Sequence, residues 1–189
     1  MIKIVLVNGP PSSGKDTLVQ HLCEKYPHLF HQVEFKTKLN LLVREIYSLS
    51  RTEWTEMCLT ENKNFPHPKL KGRTPREAQI YVSEVVIKPH FGNDYFAKAT
   101  YKALHPDKIN LASDHGFKQE LDIMIEHCRP GNVAQIRLHR EGFTFKALND
   151  SRDYVYNKTI RSIDIHNKNI PDLISGAEMF LKKINFLKE

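Results

Sequence analysis

Residues 2–18, IKIVLVNGPPSSGKDTL, constrain this chain more than any other stretch. Ile2 to Val7 is apolar, mostly β-branched and barely alternating, which suits a buried parallel strand. From Asp16 onward, Leu18, Leu22 and Cys23 recur at helical spacing. Between strand and helix, Gly9, Gly14 and Lys15 meet the pattern G-x-x-x-x-G-K. Backbone N–H groups from Ser12 to Thr17 can wrap phosphate oxygens there, and the helix N-terminus adds a partial positive charge. Lys15 has the charge and reach to bridge β- and γ-phosphates. The expected phosphate cradle is Gly9, Ser12, Ser13, Gly14, Lys15, Asp16 and Thr17.

One position departs from the pattern. Asp16 stands where a hydroxyl normally holds Mg²⁺. A carboxylate can ligate Mg²⁺ directly or through water. It can also simply complement the helix dipole in the first turn. Thr17 still offers a hydroxyl one residue on. Switch GTPases rely on Ser or Thr at this point, so Asp16 argues against that class.

The rest of the chain alternates strands with helices. HQVEF, KINLAS, NVAQIRLHR and RSIDIHN read as strands. KLNLLVREIYSL, TPREAQIYVSEVVI, DYFAKATYKAL, KQELDIMIEHC and IPDLISGAEMFLKKI read as helices. Thr74, Pro75 and Glu77 make a helix start, with N-cap, first-turn proline and capping-box acid. Residues 50–73 change character, and TENKNFPHPKLKGR is expected to be an exposed excursion. The alternation predicts a three-layer α/β domain around a central parallel sheet, with ligand at the C-terminal strand ends.

Composition narrows the partners. The formal net charge of +6 favours anionic ligands or a soluble basic surface. No basic run is interleaved with aromatics, so nucleic acid is a secondary expectation. Three scattered cysteines without C-x-x-C argue against a disulfide framework or structural zinc and fit a reducing, cytoplasmic setting. The apolar start is too short for a membrane span and lacks a signal-peptide layout.

In order along the chain, SSGKDT, VEFKTKL, GRTPREAQIYVSE, NDYFAKA and LASDHGFKQELDIM resemble bacteriophage-type deoxynucleoside monophosphate kinases, within the P-loop nucleoside monophosphate kinase superfamily. The resemblance implies one P-loop kinase domain over 1–189, with an acceptor-binding helical arm over about 36–105 and a lid over about 140–157. It implies ATP-dependent phosphorylation of deoxynucleoside monophosphates with Mg²⁺. Lys36 replaces an alanine of the family pattern, Val86 and Ile87 replace a Gly-Arg pair, and Gly116 replaces an arginine.

The site residues follow from both readings. Asp114 closes a strand beside the loop and is a candidate, with Asp16, for orienting Mg²⁺; it could instead cap the next helix. Arg76 sits in a helix first turn, where a cation fits the dipole poorly, which suggests an anionic partner such as the monophosphate. Lys36 and Lys38 follow the second strand, and Phe35 could stack on a base or belong to the core. Arg140 and Arg152 are expected as catalytic lid cations beside Lys15 and Asp114, with Lys146 between them. The expected partners are small nucleotides, with no membrane, and a homodimer is left open. A phosphomevalonate-type acceptor, or a nucleotide-binding module that has lost transfer, are the alternatives.

Overall fold

The computed structural model describes residues 1–59, 62–145 and 152–188. Contacts divide the chain into two compact units, Met1–Phe35 with Thr100–Glu189, and Lys36–Ala99.

The larger unit is built on five parallel strands: β1 (Lys3–Asn8), β2 (Phe30–Val33), β3 (Ile109–His115), β4 (Val133–His139) and β5 (Arg161–His166). Their order in the sheet is β2-β3-β1-β4-β5, so β1 lies at the centre. That is why β1 is buried on both faces and reads as an unbroken apolar run. Its alternate residues serve opposite layers. Val5 and Val7 join Leu18, Val19 and Leu22 of α1 (Lys15–Lys25) and Leu173, Ala177 and Leu181 of α8 (Ile170–Lys183) in one cluster. Helix α7 (Lys118–Cys128) packs on β1 and β4 and buries Leu121, Ile123 and Met124 outside that cluster. The expected three-layer α/β arrangement is therefore present.

The edge strand β5 behaves differently. Ile165 is buried, whereas Ser162, Asp164 and His166 are exposed. These polar residues pair in register with Gln135, Arg137 and His139 of β4. Arg137 is only 5% exposed and is held by its neighbours. Its Nε and Nη2 donate to the two Asp164 oxygens at 2.8 and 2.6 Å, and Nη1 donates to Gln135 Oε1 at 2.9 Å. This pairing holds the Asp164 carboxyl down from 3.8 to about 2, with a further hydrogen bond from His139. Folded Asp164 thus resists protonation more than the unfolded chain does. Its contribution is complete above pH 3.8 and is lost as the pH falls towards 2. Asp164→Asn is expected to cost about 1–2 kcal/mol at neutral pH, a charged hydrogen bond discounted for the exposed carboxylate. In urea melts, the gap between wild type and variant should close across that acid window.

The smaller unit is helical: α2 (Lys36–Ile46), α3 (Arg51–Met57), α4 (Pro75–Ile80), a π-helical turn (Tyr81–Ile87) and α5 (Lys88–Phe91). Helix α6 (Tyr95–Lys102) closes the unit and runs on into the larger one. Val43, Trp54, Met57, Leu70, Ala78 and Val82 form the small unit's core. Two sequence expectations change here. The described part of the excursion over 60–73 is largely exposed, as expected, but its Leu70 is fully buried, and ahead of it Ser50 and Glu53 form a capping box that starts α3, over residues to which the sequence assigned no element. The helix opened by Thr74 and Pro75 keeps its expected cap, but it widens at Tyr81, ahead of the β-branched Val85, Val86 and Ile87.

Candidate active site at the phosphate loop

The loop from Gly9 to Gly14 leaves the C-terminal end of the central strand and enters α1. Ser12 and Gly14 have φ of 62° and 100°, while the residues around them do not. This alternation turns successive N–H groups towards one side and makes an anion nest. Gly14 is the N-cap of α1 and supplies no side-chain cap, which suits a helix N-terminus that faces an anion. At Gly9 the requirement is space: a β-carbon would lie 2.9 Å from the Leu138 carbonyl oxygen.

Lys15 and Arg140 both meet this loop. Lys15 is 7% exposed, and its Nζ donates to the Pro10 carbonyl at 2.6 Å, folding the ammonium back over the nest. Arg140, just beyond β4, donates from Nη1 to the Ser12 carbonyl at 3.0 Å and lies over the Phe143 ring. Ser13 is fully buried, and its backbone carbonyl accepts from Asn167 Nδ2 at 3.3 Å.

Asp16 has a definite role in this geometry. Ser113 near the end of β3 donates its hydroxyl to Asp16 Oδ1 at 2.6 Å. The carboxylate thereby joins α1 to the neighbouring strand while its side chain stays exposed. The pairing of β1 with β3 slips between Leu6 and Asn8, so Ser113 and Asp114 occupy an irregular strand end. Asp114 accepts from the Phe35 backbone N–H at 3.0 Å through Oδ1. It does not cap α7, where Glu120 Oε2 instead accepts from the Gly116 and Phe117 N–H groups at 2.9 and 3.0 Å.

Among the described residues, no group of three or more His, Cys, Asp or Glu is arranged to hold a metal. Mg²⁺ in phosphate sites needs only one or two carboxylates, because phosphate and water supply the remaining oxygens. The hard oxygens of Asp16, Thr17, Ser113 and Asp114 fit that requirement. Asp16→Asn is therefore expected to raise the Mg²⁺ needed for half-maximal rate severalfold. An unchanged Mg²⁺ titration would leave Asp16 only its bond to Ser113.

The segment beyond the loop's far side is pinned by Asn8, the residue before Gly9. Asn8 Nδ2 donates to the His115 and Asp153 carbonyls at 3.1 and 3.2 Å, and its Oδ1 accepts from the Val155 N–H at 3.0 Å. Tyr154 adds a bond from its hydroxyl to the Leu138 carbonyl at 2.8 Å. Residues 152–155 are thus seated across the C-terminal ends of β1, β3 and β4. Residues 146–151, with Lys146 and the middle of the expected lid, lie outside the described residues.

The expected residues therefore fall into two sets. Gly9, Ser12, Ser13, Gly14, Lys15, Asp16, Thr17, Asp114, Arg140 and Arg152 belong to the larger unit's strand ends. Lys36, Lys38 and Arg76 belong to the smaller unit, where Lys36 and Arg76 are exposed in the first turns of α2 and α4. Phe35 is 3% exposed with its ring against His115, so it packs in the core and offers little surface to a base. Three contributors were not among the expected site residues: Asn8, Ser113 and Asn167. Asn8 leaves a trace as a polar residue closing an apolar strand, and Ser113 as the serine of the SDHGF segment.

These features define a parallel α/β protein with a phosphate-binding loop after its first strand. No family model and no curated protein matches the chain. Among solved structures, it is similar to a sugar kinase from Janibacter sp. HTCC2649, at 12% identity over 100% of both chains, with a TM-score of 0.44. It is also similar to a gluconokinase from Sinorhizobium meliloti 1021, at 10% identity over 99% of this chain and 98% of that one, with a TM-score of 0.47. A thymidylate kinase from Candida albicans aligns at 12% identity over 98% and 93%, with a TM-score of 0.45. Among the described residues, no helix is long and apolar enough to cross a membrane.

Proposed function

We propose that this protein transfers the γ-phosphoryl group of ATP to a small phosphorylated acceptor, with a deoxynucleoside monophosphate as the first candidate. The observation that carries this reading is the nest at Ser12–Gly14, with Lys15 folded over it and Arg140 bonded to its rim. A nest with one helix N-terminus accounts for nucleotide binding. Further cations at the same strand ends are what a transfer reaction adds, because its transition state spreads negative charge over the moving group.

In the proposed reaction an acceptor phosphate oxygen bonds to the γ-phosphorus as the bond to the β–γ bridging oxygen breaks, and ADP leaves. Lys15 follows the charge from the β- to the γ-oxygens. Arg140 and Arg152 neutralise the equatorial oxygens and help exclude water. Mg²⁺, bound near Asp16 and Asp114, would supply charge neutralisation on the triphosphate. Arg76, Lys36 and Lys38 are the proposed cations for the acceptor's phosphate. The preference for a deoxynucleotide rests on the ordered resemblance of the TPREAQ and SDHGF segments to that kinase family.

A coupled ADP-release assay with ATP and each deoxynucleoside monophosphate, run beside phosphomevalonate, tests the reading. Turnover with one or more deoxynucleotides supports it. Turnover with phosphomevalonate alone moves the acceptor class. ATP binding without transfer to any acceptor makes the chain a nucleotide-binding module.

A further inference from the structure

Gly116 lies buried where β3 gives way to α7. Its φ is not positive, unlike those of Gly14, Gly72, Gly92 and Gly142, so any residue could adopt its backbone. Space is what demands glycine. A β-carbon at Gly116 would stand 2.7 Å from each of Cβ, Cγ and Cδ of Arg152. Those atoms are the stem of the arginine, not its mobile tip. Relief would require the chain to move at residue 152.

Neither side can retreat easily. The Gly116 N–H donates to Glu120 Oε2 at 2.9 Å, and its carbonyl accepts from the Asp153 N–H at 3.4 Å. Glu120 is also paired with the buried His115 Nδ1 at 3.1 Å. Beyond Arg152, Asn8 clamps Asp153 and Val155 from the other side. The arginine stem is therefore laid along the bare Cα of Gly116, at strand ends that also carry Asn8 and the start of the phosphate loop.

We infer that Gly116 is a positioning residue for Arg152: its missing side chain is the slot that seats the arginine and the segment 152–155 at the phosphate-loop end of the sheet. The seating stands on geometry alone. Its kinetic consequence rests on the proposed transfer activity.

The test has two arms. In the first, wild type, Gly116→Ala and Gly131→Ala are digested briefly with trypsin, and the fragments are identified by mass. Gly131 is a control, because a β-carbon there meets nothing within 4 Å. Cleavage after Arg152 should rise about tenfold in Gly116→Ala, as the unseated segment opens, and stay unchanged in Gly131→Ala. Equal cleavage in Gly116→Ala and wild type would overturn the inference. Should Gly116→Ala fold poorly, the double variant with Arg152→Gly decides the matter. Glycine removes Cβ, Cγ and Cδ, all three of the close atoms, so the double variant should melt above Gly116→Ala; a melting point no higher would count against the slot.

The second arm is kinetic. Gly116→Ala should lower kcat about as much as Arg152→Gly, with little change in KM for ATP, and the double variant should be no slower than either. Losses that multiply in full would mean that Gly116 acts independently of Arg152. If wild type transfers no phosphoryl group, the proposed function fails, while the protease arm still decides the seating.

Discussion

Replacing Lys15 by alanine is expected to lower phosphoryl transfer by roughly 10³-fold while leaving the circular dichroism spectrum unchanged. The size follows from what the ammonium does in the proposed reaction. It is the one side chain of the loop that can follow charge from the β- to the γ-oxygens as the bond between them breaks. In the closed, water-excluded state that the proposed transfer requires, such an interaction is worth far more than in solvent. The fold should survive because the Pro10 carbonyl, which accepts from Lys15 at 2.6 Å, also accepts from the Ser13 N–H at 3.2 Å. That carbonyl therefore keeps a donor after the substitution. Near-normal turnover in the variant would remove the transfer assignment, whatever nucleotide affinity it retained.

Arg152→Ala is the second large effect. The chain carries Gly116 where the family it resembles carries arginine, so in the proposed reaction charge on the moving phosphoryl group comes from elsewhere. Arg152 is the cation whose stem crosses Gly116, on a segment bonded to Asn8 immediately before the loop. Its loss should lower kcat by roughly 10²-fold with a much smaller change in ATP affinity, as expected of a contact made most strongly in the transition state. Arg140→Ala provides the comparison, since Arg140 reaches the loop through the Ser12 carbonyl. If Arg152→Ala turns over at the wild-type rate, the catalytic cation is sought at Arg140 or at Lys118. Lys118, however, is already paired with Asp122 at 2.5 Å on the exposed face of α7.

The candidate site was partly legible in the sequence. The cradle residues Gly9 to Thr17 stood out because their spacing is local and each type has one mechanical job. Asp16 was legible as an exception but not as a partner of Ser113, which is 97 residues away. Phe35 illustrates the opposite situation. An aromatic residue after a strand can stack on a base or fill a core, and only its 3% exposure separates the two. The start of α3 is a readable signal, since Ser50 and Glu53 have the capping-box spacing.

By itself the sequence determined the elements: a strand that is apolar throughout because it is central, helices announced by periodicity and caps, and a loop whose glycines suit an anion nest. These depend on neighbours within a few residues. Tertiary structure alone decided the strand order β2-β3-β1-β4-β5, the pinning of residues 153–155 by Asn8 and the reason for Gly116. Asn8 and Val155 are 147 residues apart, and no propensity or pattern couples positions at that separation. The coupling arises because parallel strands bring their C-terminal ends to one edge of the sheet. There a side chain is constrained by whatever chain segment happens to cross it, as Arg152 crosses Gly116.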